Sequence, residues 1–173
     1  MRNGSIVESS GASALRFELV PPGNYYGTVV QRNHLPVMTP APLSLSGSPI
    51  AYDFTFAQTQ AYGTNPMNQL ESGVFGMVAG DVNSSSTVTA QDVSNILNAT
   101  QTSGYVLQDA NVTGIVSSAD ANLAIGNLNR TSQVPASSPS PGTLSTRVIL
   151  DPHPTAPPQG AKDKSKMRTR TRK

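Results

Sequence analysis

Two kinds of hydrophobic spacing divide the chain. Near its start, Leu15, Phe17 and Leu19 alternate with Arg16 and Glu18, the period of a half-buried strand. Pro21, Pro22, Gly23 and Asn24 form a turn signal. The aromatic and β-branched run from Tyr25 through Val29 and Val30 to Gln31 then predicts a second strand, closing a hairpin. Residues 35–38, 51–56 and 73–79 are further expected strands. So few short strands cannot cover both faces of a core. Residues 1–57 therefore read as part of an all-β sandwich, with strands from an upstream chain expected to complete it. Residues 58–79 read as a connector.

From Gly80 the period changes, and the sequence repeats itself at an offset of 28 residues. Asp81 falls on Asp109, Asn83 on Asn111, Val88 on Val116 and Asp92 on Asp120. Val93, Ile96 and Leu97 fall on Ala121, Ala124 and Ile125. Each unit is a polar loop followed by a helix with small or aliphatic residues at i, i+3 and i+4. Thr89 with Asp92, and Ser117 with Asp120, have the spacing of a capping box, a hydroxyl followed three residues later by an acid. Helices are expected over residues 90–99 and 118–129. They are expected to pack antiparallel about Val88, Val116, Ile96, Leu97 and Ile125, making residues 80–134 a small all-α pair of loop–helix units.

The loops carry the candidate chemistry. Calcium takes about six to eight oxygen ligands, which a loop of about 12 residues supplies from positions 1, 3, 5, 7, 9 and 12. The first loop offers Asp81, Asn83, Ser85, Thr87, Thr89 and Asp92; the second offers Asp109, Asn111, Thr113, Ile115, Ser117 and Asp120. Position 7, Thr87 or Ile115, contributes its carbonyl. Each loop also departs from the pattern. Position 5 is Ser85 or Thr113 instead of Asp or Asn. The tight-turn glycine of position 6 is kept as Gly114 but replaced by Ser86, which favours the second loop. Two carboxylates per loop imply modest affinity. Without a cation, the same residues read as loops held by their capping boxes.

Composition narrows the remaining possibilities. The 173 residues include no Cys, no Trp, 14 Gly and 14 Pro. Disulfides, cysteine-based zinc sites and cysteine nucleophiles are excluded. The formal charge of +2 hides a division. Residues 162–173 hold seven basic residues and one Asp, whereas the rest holds five basic and nine acidic ones. The body is mildly acidic and the basicity is one terminal run. Seven prolines between Pro135 and Pro158 precede that run, so residues 135–173 are expected to be disordered. His34 and His153 lack convergent partners for acid–base or zinc chemistry. No nucleophile elbow and no phosphate loop occurs. The reading is therefore non-enzymatic.

The paired loops resemble the type I dockerin repeat of secreted bacterial proteins. Further runs carry the resemblance: Asn24-Tyr25-Tyr26, the stretch from Gln31 through Arg32, Asn33 and His34 to Thr39, Tyr52-Asp53-Phe54-Thr55, the stretch from Gln60 to Met67, Gly80-Asp81, and the stretch from Arg130 to Pro135. They are similar to the C-terminal region of large Bacteroidota-type extracellular proteins, where a β-sandwich segment precedes a dockerin-like pair. Pro22-Gly23-Asn24-Tyr25 is also similar to carboxypeptidase-regulatory-like sandwiches. The resemblance implies a mixed, multi-part fold: a partial all-β sandwich, then a dockerin-like all-α pair, then a disordered tail. It implies an extracellular or cell-surface module in a setting of polysaccharide catabolism, serving display, anchoring or adhesion. No signal peptide is visible, so an N-terminally truncated fragment is expected. Calcium is the implied cofactor, with ligands carried to Asp81, Asn83, Ser85, Thr87 and Asp92, and to Asp109, Asn111, Thr113, Ile115 and Asp120. Expected partners are Ca²⁺ and a cohesin-like protein or surface polysaccharide. The alternatives are a dockerin-type assembly module, which exposed apolar helix residues would favour, and nucleic-acid or anionic-surface binding through residues 162–173. The basic run has no aromatic residue for base stacking.

Overall fold

Tyr25 to Gln31, expected as one strand, is split at Tyr26 and Gly27 into β1 (Gly23–Tyr25) and β2 (Thr28–Val30). The break has a local cause. The Gly27 N–H donates to Thr39 Oγ1 at 3.1 Å and its carbonyl accepts from the Thr39 N–H at 2.9 Å. Gly27 is thus engaged by Thr39 and lies outside both ladders. The computed structural model describes residues 20–135 and the backbone of residues 147–149. The expected strand at Leu15, Phe17 and Leu19, His153 and the basic run lie outside the described residues.

Three small sheets result. β1 pairs antiparallel with β4 (Leu43–Leu45), and β2 pairs antiparallel with β3 (Val37–Met38). β5 (Asn68–Glu71) and β6 (Val74–Gly76) form a bulged hairpin through Ser72 and Gly73, the latter at a left-handed φ of 75°. The expected strand over 51–56 is instead a bend. Asp53 Oδ1 accepts from the Thr55 N–H and hydroxyl, each at 2.7 Å, a local side-chain turn that competes with extended pairing. Phe54, edge-on to Tyr52, packs with Val29, Phe75 and Met77 around Val37, Ala61 and Met67.

The repeat yields α1 (Ala90–Asn98) and α2 (Ser118–Gly126). α2 stops short of the expected residue 129. Asn127 caps its end, donating from Nδ2 to the Ala79 carbonyl at 2.8 Å and accepting at Oδ1 from Asn68 Nδ2 at 2.7 Å. Val88 and Val116 make reciprocal backbone pairs. Val88 bonds with Asn129 and Arg130, after α2; Val116 bonds with Gln101 and Thr102, after α1. Each loop is thereby strapped by the segment that follows the other helix, at the same repeat offset.

The core overturns the expected fold class. The described residues form two two-stranded sheets and one three-stranded sheet, not two facing layers of a sandwich. Nor is the helical pair a self-contained all-α unit. Leu35 and Val78 are buried in one cluster with Val82, Val88, Ile96, Val116, Ala121 and Ala124. The reason is apolar supply. Two nine-residue helices that fully bury only Ile96, Ala121 and Ala124 as apolar residues have too little surface to close a core, so the β region completes it. Leu97 and Ile125, expected inside, are 54% and 50% exposed. The tail also departs from expectation. Arg147–Ile149 form β7, parallel to β2. Val148 and Ile149 are β-branched, and β2 offers them its second edge.

Candidate metal-binding loops

The Thr89 N–H and hydroxyl both donate to Asp92 Oδ2 at 2.8 Å. In the second unit the Ser117 N–H and hydroxyl donate to Asp120 Oδ2 at 2.8 and 3.0 Å. Both capping boxes therefore form, and each fixes the last acid of its loop at the first turn of a helix. The other oxygen of each acid reaches back across the loop. Asp92 Oδ1 accepts from the Asn83 N–H at 3.2 Å, and Asp120 Oδ1 from the Asn111 N–H at 2.9 Å.

The first acid of each loop is held in the same matched way. Asp81 accepts from the Ser85 and Ser86 N–H groups at 2.8 and 2.9 Å. Asp109 accepts from Thr113 and Gly114 at 3.0 and 2.8 Å. Asn83 Oδ1 and Asn111 Oδ1 accept from Ser85 and Thr113. The Ser85 hydroxyl donates to the Thr87 carbonyl at 2.9 Å, and the Thr113 hydroxyl approaches the Ile115 carbonyl at 3.4 Å. Each sequence-selected set thus converges on one loop: two carboxylates, an amide oxygen, a hydroxyl and a carbonyl. Left-handed backbone recurs at the same offset, at Ser84 and Val112 (57° and 58°) and at Ser86 and Gly114 (68° and 93°). The serine adopts the turn for which the second loop uses glycine.

The electrostatics are unbalanced. Asp81, Asp92, Asp109 and Asp120 are all buried, none more than 3% exposed. Residues 20–135 contain two arginines and no lysine, against six acids. Arg130 is committed elsewhere, donating to Asn68 Oδ1 and to the Asn65 and Met67 carbonyls. Arg32 stands 3.9 Å from Asp109. Among the described residues, Asp81, Asp92 and Asp120 have no ion pair. Burial pushes the Asp81 carboxyl above its usual range, and the Asp92 charge adds to this, against the loop N–H groups that lower it. All the converging donors are oxygen, the hard set that suits calcium. With two carboxylates in each loop, no group of three acids or imidazoles forms among the described residues.

Asn33 ties the loops together, a role the sequence reading did not assign. Fully buried, it donates from Nδ2 to the Leu107 and Asp109 carbonyls at 2.9 and 2.7 Å, while its own carbonyl accepts from the Gly80 N–H at 2.9 Å. One residue thus holds the entrances of both loops. Gly80, at φ 116°, permits the close approach: a Cβ there would lie 2.8 Å from the Ala124 Cα. His34 Nδ1 faces two acceptors, Gln31 Oε1 at 2.6 Å and Asn33 Oδ1 at 2.8 Å, so this nitrogen carries the proton. Burial, and secondarily Arg32, lower its pKa to about 4. His34 is a neutral positioning group at pH 7. The only sequence hint for Asn33 is its place inside the stretch that carries the family resemblance.

No protein-family model and no curated protein sequence matches the chain. Among solved structures, the chain is similar to a type II cohesin–X-dockerin complex from Acetivibrio cellulolyticus, a C-terminal interface mutant. The two are 19% identical over 66% of this chain and 68% of that one, with a TM-score of 0.42, below the range of a shared fold.

Proposed function

We propose that this chain is a non-enzymatic module held in shape by calcium, carried by a larger extracellular or surface protein for display, anchoring or adhesion. The observation that supports it is the set of four buried carboxylates in two matched, oxygen-lined loops, beside a single counter-cation among the described residues. Buried charge without compensation is costly, and a divalent cation is the compensation that these donors suit. Asp81, Asn83, Ser85, the Thr87 carbonyl and Asp92 would hold one ion; Asp109, Asn111, Thr113, the Ile115 carbonyl and Asp120 would hold the other. Asp92 and Asp120 each join a loop to a helix start, so cation binding there stabilises loop and helix together. Loops with few charged ligands suit the millimolar calcium found outside cells. At ten times its dissociation constant, a ligand adds about 1.4 kcal/mol per site. Calorimetric titration of the full chain with Ca²⁺ tests this. Two sites are expected, one lost in Asp92→Ala and the other in Asp120→Ala. No heat in the wild-type chain would reject the reading.

A second reading, an assembly module that recruits a cohesin-like partner, is favoured by one observation. Leu97 and Ile125 occupy equivalent repeat positions and both are exposed, with Leu123 and Leu128 also exposed on or just after α2. An isolated exposed leucine is ordinary, but a duplicated one together with its neighbours resembles a contact surface. In a binding assay with an isolated type II cohesin, Leu97→Glu/Ile125→Glu is expected to abolish binding without lowering the melting temperature. Absence of binding by the wild-type chain would remove this second reading.

A further inference from the structure

The two loops share every N–H bond that their acids accept, yet among the described residues only the second has a cation beside it. The Arg32 side chain is 10% exposed, with Nη2 3.9 Å from Asp109 Oδ2. Its guanidinium lies 3.6 Å from the centre of the Tyr105 ring. Its Nε and Nη1 atoms are buried and have no hydrogen-bond partner among the described residues. Within the first loop Asp81, which matches Asp109 in the repeat, has no arginine among the described residues.

We propose that Arg32 is a built-in competitor for the second loop, making it the weaker of two otherwise matched cation sites. This rests on the calcium reading above. The physics has two parts. A dication held by Asp109 would share that carboxylate with a guanidinium and be repelled by it, at a range where charges interact strongly in a partly desolvated site. Drawing Asp109 toward a cation also leaves Arg32 without its only anionic partner among the described residues, where two of its nitrogens already lack acceptors. That desolvated charge then has only the Tyr105 face to stabilise it. Both effects oppose binding at the second loop and neither acts on the first. The preference runs against the sequence pattern, where Gly114 favours the second loop over Ser86. The strain of a left-handed Ser86 is already present in the folded first loop before any cation arrives.

The test is calorimetry on the full chain, with Asp92→Ala used to isolate the second loop and Asp120→Ala the first. The second loop is expected to bind Ca²⁺ on the order of tenfold more weakly than the first. Arg32→Gln should tighten the second loop by about tenfold and leave the first within about twofold, whereas Arg32→Lys, which keeps the charge, should leave the second loop weak. An independent measurement needs no variant. In the wild-type chain, the Arg32 Nε–H resonance should shift together with the Gly114 amide during Ca²⁺ titration, and not with Ser86. Equal affinities in the two loops, an Arg32→Gln variant that tightens neither or both alike, or an Arg32 resonance that stays still while Gly114 saturates would overturn the role of Arg32 and leave calcium binding standing. No calcium response from either loop would overturn both.

Discussion

The first and second loops agree in every hydrogen bond that their acids accept from the loop N–H groups, yet differ in what surrounds them. The first puts a serine where the second puts a glycine. The second has Arg32 beside its leading acid, and the first has no such cation among the described residues. The internal bonds follow from residue types at fixed spacing, so duplication preserved them. The surroundings come from the β region, which is not duplicated and therefore meets the two loops unequally.

Four tests, built on six substitutions, break or sharpen this comparison, in descending order of expected effect. Asp92→Ala and Asp120→Ala each leave buried N–H groups without acceptors and remove a cap. Each should destabilise the calcium-free protein by roughly 3–4 kcal/mol in urea unfolding. Similar costs would support matched loops, and a difference above about 1 kcal/mol would break the match. Asn33→Ala strips acceptors in the second loop of two donors while leaving the first loop's acids untouched. It should cost roughly 2–3 kcal/mol, and NMR shift changes should spread to Gly80 at the mouth of the first loop. If they stay within 107–111, Asn33 does not couple the loops.

Acid should act through the same turn. His34 has a folded-state pKa of about 4, lowered chiefly by burial and then by Arg32, against 6.5 in the unfolded chain. Between those values the unfolded state binds the proton more readily, so stability rises with pH there. The His34 contribution is fully present above pH 6.5 and is lost as pH falls toward 4. Partial exposure limits it to about 1–2 kcal/mol. In His34→Gln that portion of the pH dependence should vanish. An unchanged unfolding profile between pH 6.5 and 4 would refute the assignment. The smallest effect belongs to the turn itself. Ser86→Gly should stabilise the first loop by about 1 kcal/mol, and Gly114→Ser should cost the second about the same, because only the serine is strained at positive φ. Thermal melts of both variants and of the double swap check this.

The helices and the loops were legible in the sequence because their signals are local. Thr89 and Asp92 lie three residues apart, and the repeat shows the same spacing twice. The β region was legible only in part. The run from Tyr25 to Val30 reads as one strand, and nothing nearby announces that Thr39 will take both backbone groups of Gly27. Ala51 to Phe56 has strand composition, but Asp53 turns it locally. Leu97 and Ile125 fit the helical period, yet the apolar stripe is wider than the core it meets, and Leu35 and Val78 fill the space expected for them. Asn33 and Arg32 were the least legible. Their partners at Asp109 lie 76 and 77 residues away in sequence, and no periodicity links a lone polar residue to so distant a carbonyl or carboxylate.

The central claim is that a divalent cation completes both loops. Its most direct test is the thermal unfolding of the full chain in chelator and in 10-fold steps of Ca²⁺ up to about 10 mM, a range that spans the affinities of extracellular sites. A melting temperature that rises by several degrees with Ca²⁺, with the rise abolished in Asp92→Ala/Asp120→Ala, is expected. Coincident melting curves in chelator and at the highest Ca²⁺ concentration would contradict it.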